Sequence, residues 1–69
     1  MKEKCGYYEF EVYEYWPSLH LDKAQGYCYT IYKPGSEDIV RESEEWFESE
    51  MRARLAAIGH ISLLENGEG

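Results

Sequence analysis

The sequence predicts an α+β domain in which a three-stranded antiparallel meander is followed by one amphipathic helix, in the order β-β-β-α. Two patterns in the spacing of the apolar residues predict this fold. Aromatic and apolar residues alternate with a period of two over residues 7–15 and 26–33, which is typical of strands with one buried face. Beyond residue 48 the spacing of the apolar residues becomes that of a helix.

The first predicted strand spans residues 7–15. Its aromatic and β-branched residues favour a strand, and alternation divides the side chains between two faces. One face receives Tyr8, Phe10 and Val12, and the other receives Tyr7, Glu9, Glu11, Tyr13 and Tyr15. Pro17 lacks a backbone N–H and ends the pattern. We predict a long connection over residues 16–25, whose apolar side chains fold back onto the sheet: Trp16, Leu19 and Leu21.

The second and third predicted strands flank a tight turn. Residues 26–33 place Tyr27, Tyr29 and Ile31 on one face and Cys28, Thr30 and Tyr32 on the other. Pro34 presets φ and Gly35 tolerates a positive φ, so this pair predicts a turn. Residues 37–43 then supply a short third strand. Consecutive strands joined in this way form an antiparallel meander.

The predicted helix begins after Ser49, which belongs to a residue type that caps helix N-termini well. Met51, Leu55 and Ile58 lie four and three residues apart and form an apolar stripe. We expect this stripe to face the sheet.

The end of the helix has two interpretations. Either Gly59 terminates it and residues 60–65 form a short C-terminal strand, or the helix continues to about residue 64 and ends at Asn66-Gly67. We favour the longer helix because one interior glycine costs only about 1 kcal/mol.

The chain of 69 residues is predicted to be a single small domain, ordered over about residues 7–64, with flexible tails at 1–6 and 65–69. A monomer of this length hides only about 60% of its unfolded surface, so its core is marginal. Two cysteines allow at most one disulfide. We therefore expect a homodimer, in which self-association supplies the missing stability.

Fourteen acidic and seven basic residues give a formal net charge of −7. This charge repels phosphate backbones and anionic lipids, so we expect no direct binding to nucleic acid or to membranes. The N-terminus lacks the apolar segment of a secretory signal. No run of apolar residues approaches the roughly 18 to 20 apolar residues of a membrane span. We therefore expect a cytoplasmic protein with reduced thiols.

Four short segments precede a set of apolar helix residues in an order that is similar to that of a known family. The segments are FEVY at 10–13, GYCYTIY at 26–32, IVRES at 39–43 and FES at 47–49, followed by the helix residues Ala53, Ile58 and Ile61. Together they resemble the YegP-like domains of bacteria, which are small and largely uncharacterised. The first connection is longer than the family's, and Pro-Gly-Ser-Glu stands where Asn-Gly-Glu is common. The resemblance implies a β3-α unit, two of which complete one sheet as a homodimer, with or without a swapped C-terminal strand. It implies no catalytic residues.

No arrangement of residues in the sequence is typical of an enzyme. The histidines and cysteines stand at no metal-ligand spacing, and the six glycines form no phosphate-binding loop. A thiol enzyme would need Cys28 with His20 or His60, but no nearby residue marks an activated thiol. We predict no enzymatic activity, no metal and no cofactor.

Two groups of residues are candidates for binding. The candidate interaction face lies opposite the predicted helix and comprises Tyr7, Tyr13, Tyr15, Thr30 and Tyr32. Tyrosine suits interfaces because it combines a large area, few rotatable bonds and a polar tip. In the alternative, cross-strand tyrosine pairs stabilise a solvent-facing sheet or are buried by a second subunit. The candidate acidic cluster comprises Glu42, Glu44, Glu45 and Glu48, and its alternative is a solvated group that complements the helix dipole.

We predict a binding or adaptor role that uses the tyrosine-rich face to hold an unidentified protein partner. The alternative is an acidic decoy that occupies a basic, nucleic-acid-binding protein. The salt dependence of binding distinguishes the two roles, because an aromatic patch retains its partner in high salt whereas an electrostatic decoy releases it.

Overall fold

A computed structural model describes residues 2–16 and 26–67. They form a four-stranded antiparallel sheet in the spatial order β1-β2-β3-β4, with one helix packed on one face. The elements are β1 (Glu3–Cys5), β2 (Tyr8–Tyr15), β3 (Gly26–Tyr32), β4 (Ile39–Glu42) and α1 (Glu50–Glu65). The predicted α+β class and the meander-then-helix order are confirmed. The predicted return of Leu19 and Leu21 onto the sheet lies outside the described residues.

The strand β1 corrects the prediction of three strands. It pairs with β2 across the two-residue turn Gly6-Tyr7, so Tyr7 belongs to a turn rather than to a strand. Gly6 has φ 57°, as the first central residue of a type II′ hairpin turn requires. A β-carbon at Gly6 would also collide with the Glu65 carboxylate. Because β1 is short and mainly charged, no apolar alternation reveals it in the sequence.

The predicted Pro34-Gly35 turn is confirmed. The Ser36 N–H donates to the Lys33 carbonyl at 3.2 Å, and Gly35 has φ 66°, which is the geometry of a type II turn. The strand that follows is shorter than the predicted residues 37–43. Its register shifts opposite Ile31 and Tyr32, which is the mark of a β-bulge.

The helix begins and ends where the longer of the two interpretations places it. Ser49 is the N-cap, and its hydroxyl accepts a hydrogen bond from the Arg52 N–H at 3.2 Å. The helix continues through Gly59 to Glu65. Gly67, with φ 77°, then follows the helix, as glycine commonly does at helix C-termini.

The predicted orientation of the helix stripe is wrong for Met51 and Leu55, whereas Ile58 packs against the core as predicted. The side chains that face the sheet are Ala53, Ala57 and Ile61, each 0% exposed, whereas Met51 and Leu55 are 59% and 57% exposed. The Phe10 and Tyr29 rings of the sheet lie in the core between the two layers. Small alanines let the helix backbone approach these rings closely, so close packing selects the alanine face over the larger apolar side chains.

The core lies between α1 and the face of the sheet that the alternation predicted to be buried. Phe10, Ile31 and Ile61 are its largest fully buried side chains, and Tyr29 packs beside them against the Phe47 ring. In the described part of the chain, no helix is long and apolar enough to cross a membrane.

The two thiols lie on different faces of the sheet. Cys5 packs against the core from β1, whereas Cys28 pairs across the ladder with Tyr13 on the other face. Both cysteines are free. Because β1 and β3 are not neighbours in the sheet, the fold keeps these thiols apart.

Candidate functional site

The sheet face opposite α1, called here the open sheet face, carries Glu9, Glu11, Tyr13, Tyr15, Cys28, Thr30 and Tyr32 in cross-strand register. Tyr13 lies opposite Cys28, and Tyr15 lies opposite Gly26. Thr30 is 3% exposed, and its hydroxyl donates to the Tyr13 hydroxyl oxygen at 3.4 Å. The register thus brings Tyr13, Tyr15 and Thr30 together, as the alternation predicted.

The segment between β4 and α1 adds an indole ring to this face. Phe47 and Tyr27 exchange two backbone hydrogen bonds, of 2.7 Å and 2.8 Å. Neighbouring side chains of an extended chain point to opposite faces. Phe47 therefore stacks on Tyr29 in the core, while Trp46 stacks on Tyr15 with ring centroids 6.5 Å apart and planes 8° apart.

A glycine at the start of β3 makes room for this indole. A β-carbon at Gly26 would collide with the Trp46 ring and would lie 2.7 Å from the Phe47 carbonyl oxygen. No other residue type leaves the sheet surface flat enough for an aromatic ring to lie against the backbone here. Gly26 and Trp46 were both absent from the predicted site.

These side chains enclose a groove of about 290 Å³, called here the acidic–aromatic groove. Its lining comprises Tyr13, Tyr15, Cys28, Glu42, Ser43, Glu44, Glu45 and Trp46. The rings are partly exposed, the Cys28 side chain is buried between them, and the three carboxylates are exposed at one side. The fold therefore joins part of the predicted interaction face to part of the predicted acidic cluster.

The other predicted site residues lie elsewhere. Tyr7 is at the opposite end of β2 from Tyr15, and its ring packs edge-on against Tyr8 at 5.1 Å. The Lys2 ammonium lies 4.1 Å from the centroid of the Tyr32 ring, and it also forms an ion pair with Glu37 at 2.8 Å. The tyrosines thus form no continuous band. Glu48 is exposed next to the helix N-cap and does not line the groove.

A second, more polar cavity lies on the helix side of the same acidic segment. Its volume is about 650 Å³, and its lining includes Tyr29, Arg41, Glu44, Glu45 and His60. The Tyr29 hydroxyl lies 2.8 Å from His60 Nδ1. Burial raises the pKa of Tyr29, and the Glu44 and Glu45 carboxylates raise it further. Tyr29 therefore stays a neutral phenol at physiological pH and fixes the orientation of the imidazole.

The electrostatics of the acidic–aromatic groove favour a cation. Aromatic faces carry a negative quadrupole that attracts ammonium and guanidinium groups, and nearby carboxylates attract them by charge. No lysine or arginine is among the described residues that line the groove. The volume of about 290 Å³ is at the lower limit of ligand sites, so it suits one side chain rather than a large cofactor.

Residues with metal-binding chemistry do not converge in the described part of the chain. No three His, Cys, Asp or Glu side chains come close enough there to hold a metal ion. Of the residues weighed as soft ligands, His60 contacts Tyr29, and His20 lies outside the described ranges.

Comparison of the chain with family models, curated proteins and solved structures found no match. The resemblance to YegP-like domains therefore stays a prediction. Function has to be argued from the geometry of the groove.

Trp46 is the aromatic ring of the groove that sequence reasoning missed, and the sequence does hold a signal for it. Two adjacent aromatic residues, Trp46 and Phe47, precede the helix N-cap. In an extended segment such a pair must send one ring to each side of the sheet. A tryptophan so placed, beside a run of glutamates, points to the edge of the open sheet face.

Proposed function

We propose that this protein is a non-enzymatic binding domain that holds a basic segment of a partner protein, with one arginine or lysine side chain in the acidic–aromatic groove. The observation that supports this most directly is the position of the stacked Tyr15–Trp46 pair beside exposed carboxylates. A cation is attracted by both features at once. An anionic ligand would be repelled, and an apolar one would desolvate carboxylates without pairing them.

The proposal unites the adaptor role and the basic partner that the sequence suggested as alternatives. An acidic decoy would use the same negative charge but would need no aromatic rings. The proposal keeps the cytoplasmic location and the reduced thiols that the sequence predicted. Binding in the groove depends on its aromatic rings as well as on charge, whereas a decoy depends on charge alone, so substitutions of the rings distinguish the two.

The first test measures fluorescence anisotropy of a labelled peptide of alternating arginine and glycine, with a glutamine–glycine peptide as its control. Combining Tyr13→Ala with Tyr15→Ala should weaken arginine-peptide binding roughly tenfold, because cation–π contacts at interfaces are worth about 1–2 kcal/mol. Tyr7→Ala is the matched control, since Tyr7 is an exposed tyrosine outside the groove. Its affinity should equal that of the wild type.

Charge variants complete the experiment. Glu44→Gln with Glu45→Gln should weaken binding more than Asp38→Asn with Glu50→Gln, which removes the same charge away from the groove. The decoy would instead be supported by three results together. Both charge pairs would lower the affinity equally, the tyrosine variants would leave it unchanged, and high salt would release the peptide. Equal affinity for the glutamine–glycine peptide would overturn both.

A further inference from the structure

The outer side of α1 carries an apolar ridge that the fold leaves uncovered. Met51, Leu55, Gly59 and Leu63 follow one another four residues apart, and residues at this spacing form a continuous ridge along a helix. The three large side chains, Met51, Leu55 and Leu63, are 59%, 57% and 47% exposed. These four residues are called here the outer helix ridge.

The acidic residues of α1 point away from this ridge. Glu65 accepts a hydrogen bond from the Tyr7 N–H at 2.7 Å, beside the β1–β2 turn. Glu50 lines a cavity with Phe10 and Arg54 on the sheet side of the helix. The whole chain has a net charge of −7. Two copies therefore repel each other less when they meet at the outer helix ridge than at an acidic surface.

The edges of the sheet are poorly suited to a second copy. On β4 the Arg41 guanidinium donates to the Val40 carbonyl at 2.8 Å, and the register of this short strand is interrupted by a shift. On β1 the sequence is EKC, with two charged residues in a three-residue strand. Charged side chains, bulges and short edge strands all oppose strand pairing between chains.

We propose that a second copy of this chain docks on the outer helix ridge, with the two helices antiparallel across a two-fold axis that passes between Leu55 and Gly59. In this register Leu55 faces the partner's Gly59, and Met51 faces the partner's Leu63. A β-carbon at Gly59 would meet nothing within 4 Å in its own chain, so the glycine leaves a notch for a leucine. A ridge that complements itself in this way fits an isologous dimer.

The size of the ridge sets the strength of the dimer. With 16 residues, α1 is about 24 Å long. Its outer side therefore offers less than the roughly 800 Å² per partner of a standard interface. The dimer is reversible and forms at high protein concentration. Because α1 and the open sheet face lie on opposite sides of the sheet, both copies of the acidic–aromatic groove stay accessible.

The experiment is sedimentation equilibrium of the full chain with its thiols reduced, over a wide range of concentration. The mass of the wild type should rise from 8.1 kDa towards twice that value. Leu55→Glu should weaken association more than about tenfold, because it buries a charge in the ridge contact. Ile39→Glu is the control, since Ile39 is 56% exposed on β4 and its substitution should leave association unchanged.

Two other results would contradict the proposed dimer contact. A wild type that stays monomeric at all concentrations removes the dimer. Dissociation by Ile39→Glu but not by Leu55→Glu moves the contact to the sheet edge. Circular dichroism should show both variants folded, because each side chain is exposed in the single chain.

A mixing experiment tests the register. Leu55→Glu alone and Gly59→Lys alone each disrupt both Leu55–Gly59 contacts of their own homodimer. An equimolar mixture places the introduced carboxylate against the introduced ammonium once and keeps the native contact once. The mixture should therefore associate while neither variant does. If it stays monomeric while Leu55→Glu still dissociates the wild-type dimer, the antiparallel register is wrong.

Discussion

Gly26 shows how one residue can determine a site without contributing a side chain to it. The backbone at this position is buried between the Trp46 ring on the open sheet face and the Phe47 carbonyl. Any side chain here would separate the indole from the sheet and disturb the paired Tyr27–Phe47 backbone. The stacked Tyr15–Trp46 pair therefore depends on this glycine.

Gly26→Ala should destabilise the domain by about 1–3 kcal/mol, which is the range for overpacking. The reason is that the Phe47 carbonyl oxygen, a backbone atom, cannot move aside as a flexible side chain can. Urea unfolding followed by circular dichroism measures the free energy of unfolding. Gly59→Ala is the control and should stabilise by about 1 kcal/mol, because Gly59 is in the helix interior with open space around it. Equal effects of the two changes would contradict this account of Gly26.

At the scale of the element, α1 illustrates why hydrophobicity alone does not orient a helix. Met51, Leu55 and Leu63 are exposed on its outer side. Its inner side buries two alanines and Ile61, and Ile58 and Leu64 pack partly buried beside them. The stripe of Met51 and Leu55 has the spacing of a core face. The sheet nevertheless takes the alanine side, because small side chains let the helix pack closely against the Phe10 and Tyr29 rings of the core.

Ile61→Ala should therefore cost about 2–4 kcal/mol, as expected for a large-to-small change at a fully buried position. Met51→Ala should change the free energy of unfolding by less than about 0.5 kcal/mol, since this side chain is 59% exposed. Both are measured at concentrations low enough for the chain to be monomeric. A larger effect of Met51→Ala would restore the orientation that the sequence predicted.

At the scale of the whole molecule, polar contacts join the two ends of the described chain. Arg54 of α1 pairs with Glu3 of β1, and Glu65 holds the amide of Tyr7. On the other face Lys2 bonds the Ser36 carbonyl at 2.7 Å. The N-terminal strand is thus fastened to the helix and to the β3–β4 turn, although β1 has little apolar surface of its own.

The Glu3–Arg54 pair makes this fastening depend on pH. The hydrogen bond from Arg54 holds the pKa of Glu3 below its ordinary value of 4.5. A lowered carboxyl pKa contributes stability that is present above the unfolded-state value and is lost as the pH falls through the folded-state value. We expect protection of the β1 amides to fall as the pH is lowered from about 5, in hydrogen exchange followed by NMR and corrected for intrinsic rates.

Glu3→Gln is the control, because it lacks the titrating group. Its β1 amides should already exchange faster than wild type at about pH 6 and should change less on acidification. If wild type and variant lose protection in parallel, other carboxylates are responsible. In that case Glu3 is not the group that titrates.

The order of the elements and the buried face of the sheet could be predicted, whereas the site could only be predicted in part. Alternation in residues 7–15 and 26–33 divides the side chains between the two faces, because successive side chains of a strand point to opposite faces. In the central strand β3, however, Cys28 and Thr30 of the open sheet face are buried as well. The tyrosine and glutamate groups were identified separately. That they meet at one end of the sheet, with Trp46 between them, depends on the path of residues 43–47 across the end of β3.

By itself, the sequence determined the class, the meander, the turn at Pro34-Gly35 and the cap at Ser49, and it favoured the continuation of α1 past Gly59 over a helix that ends there. These features follow from local spacing and local backbone preference. Tertiary structure alone decided the fourth strand, the inner face of the helix and the joining of the aromatic and acidic groups. Each of these depends on volumes and contacts between residues that are far apart in the chain, and no local pattern encodes such distances.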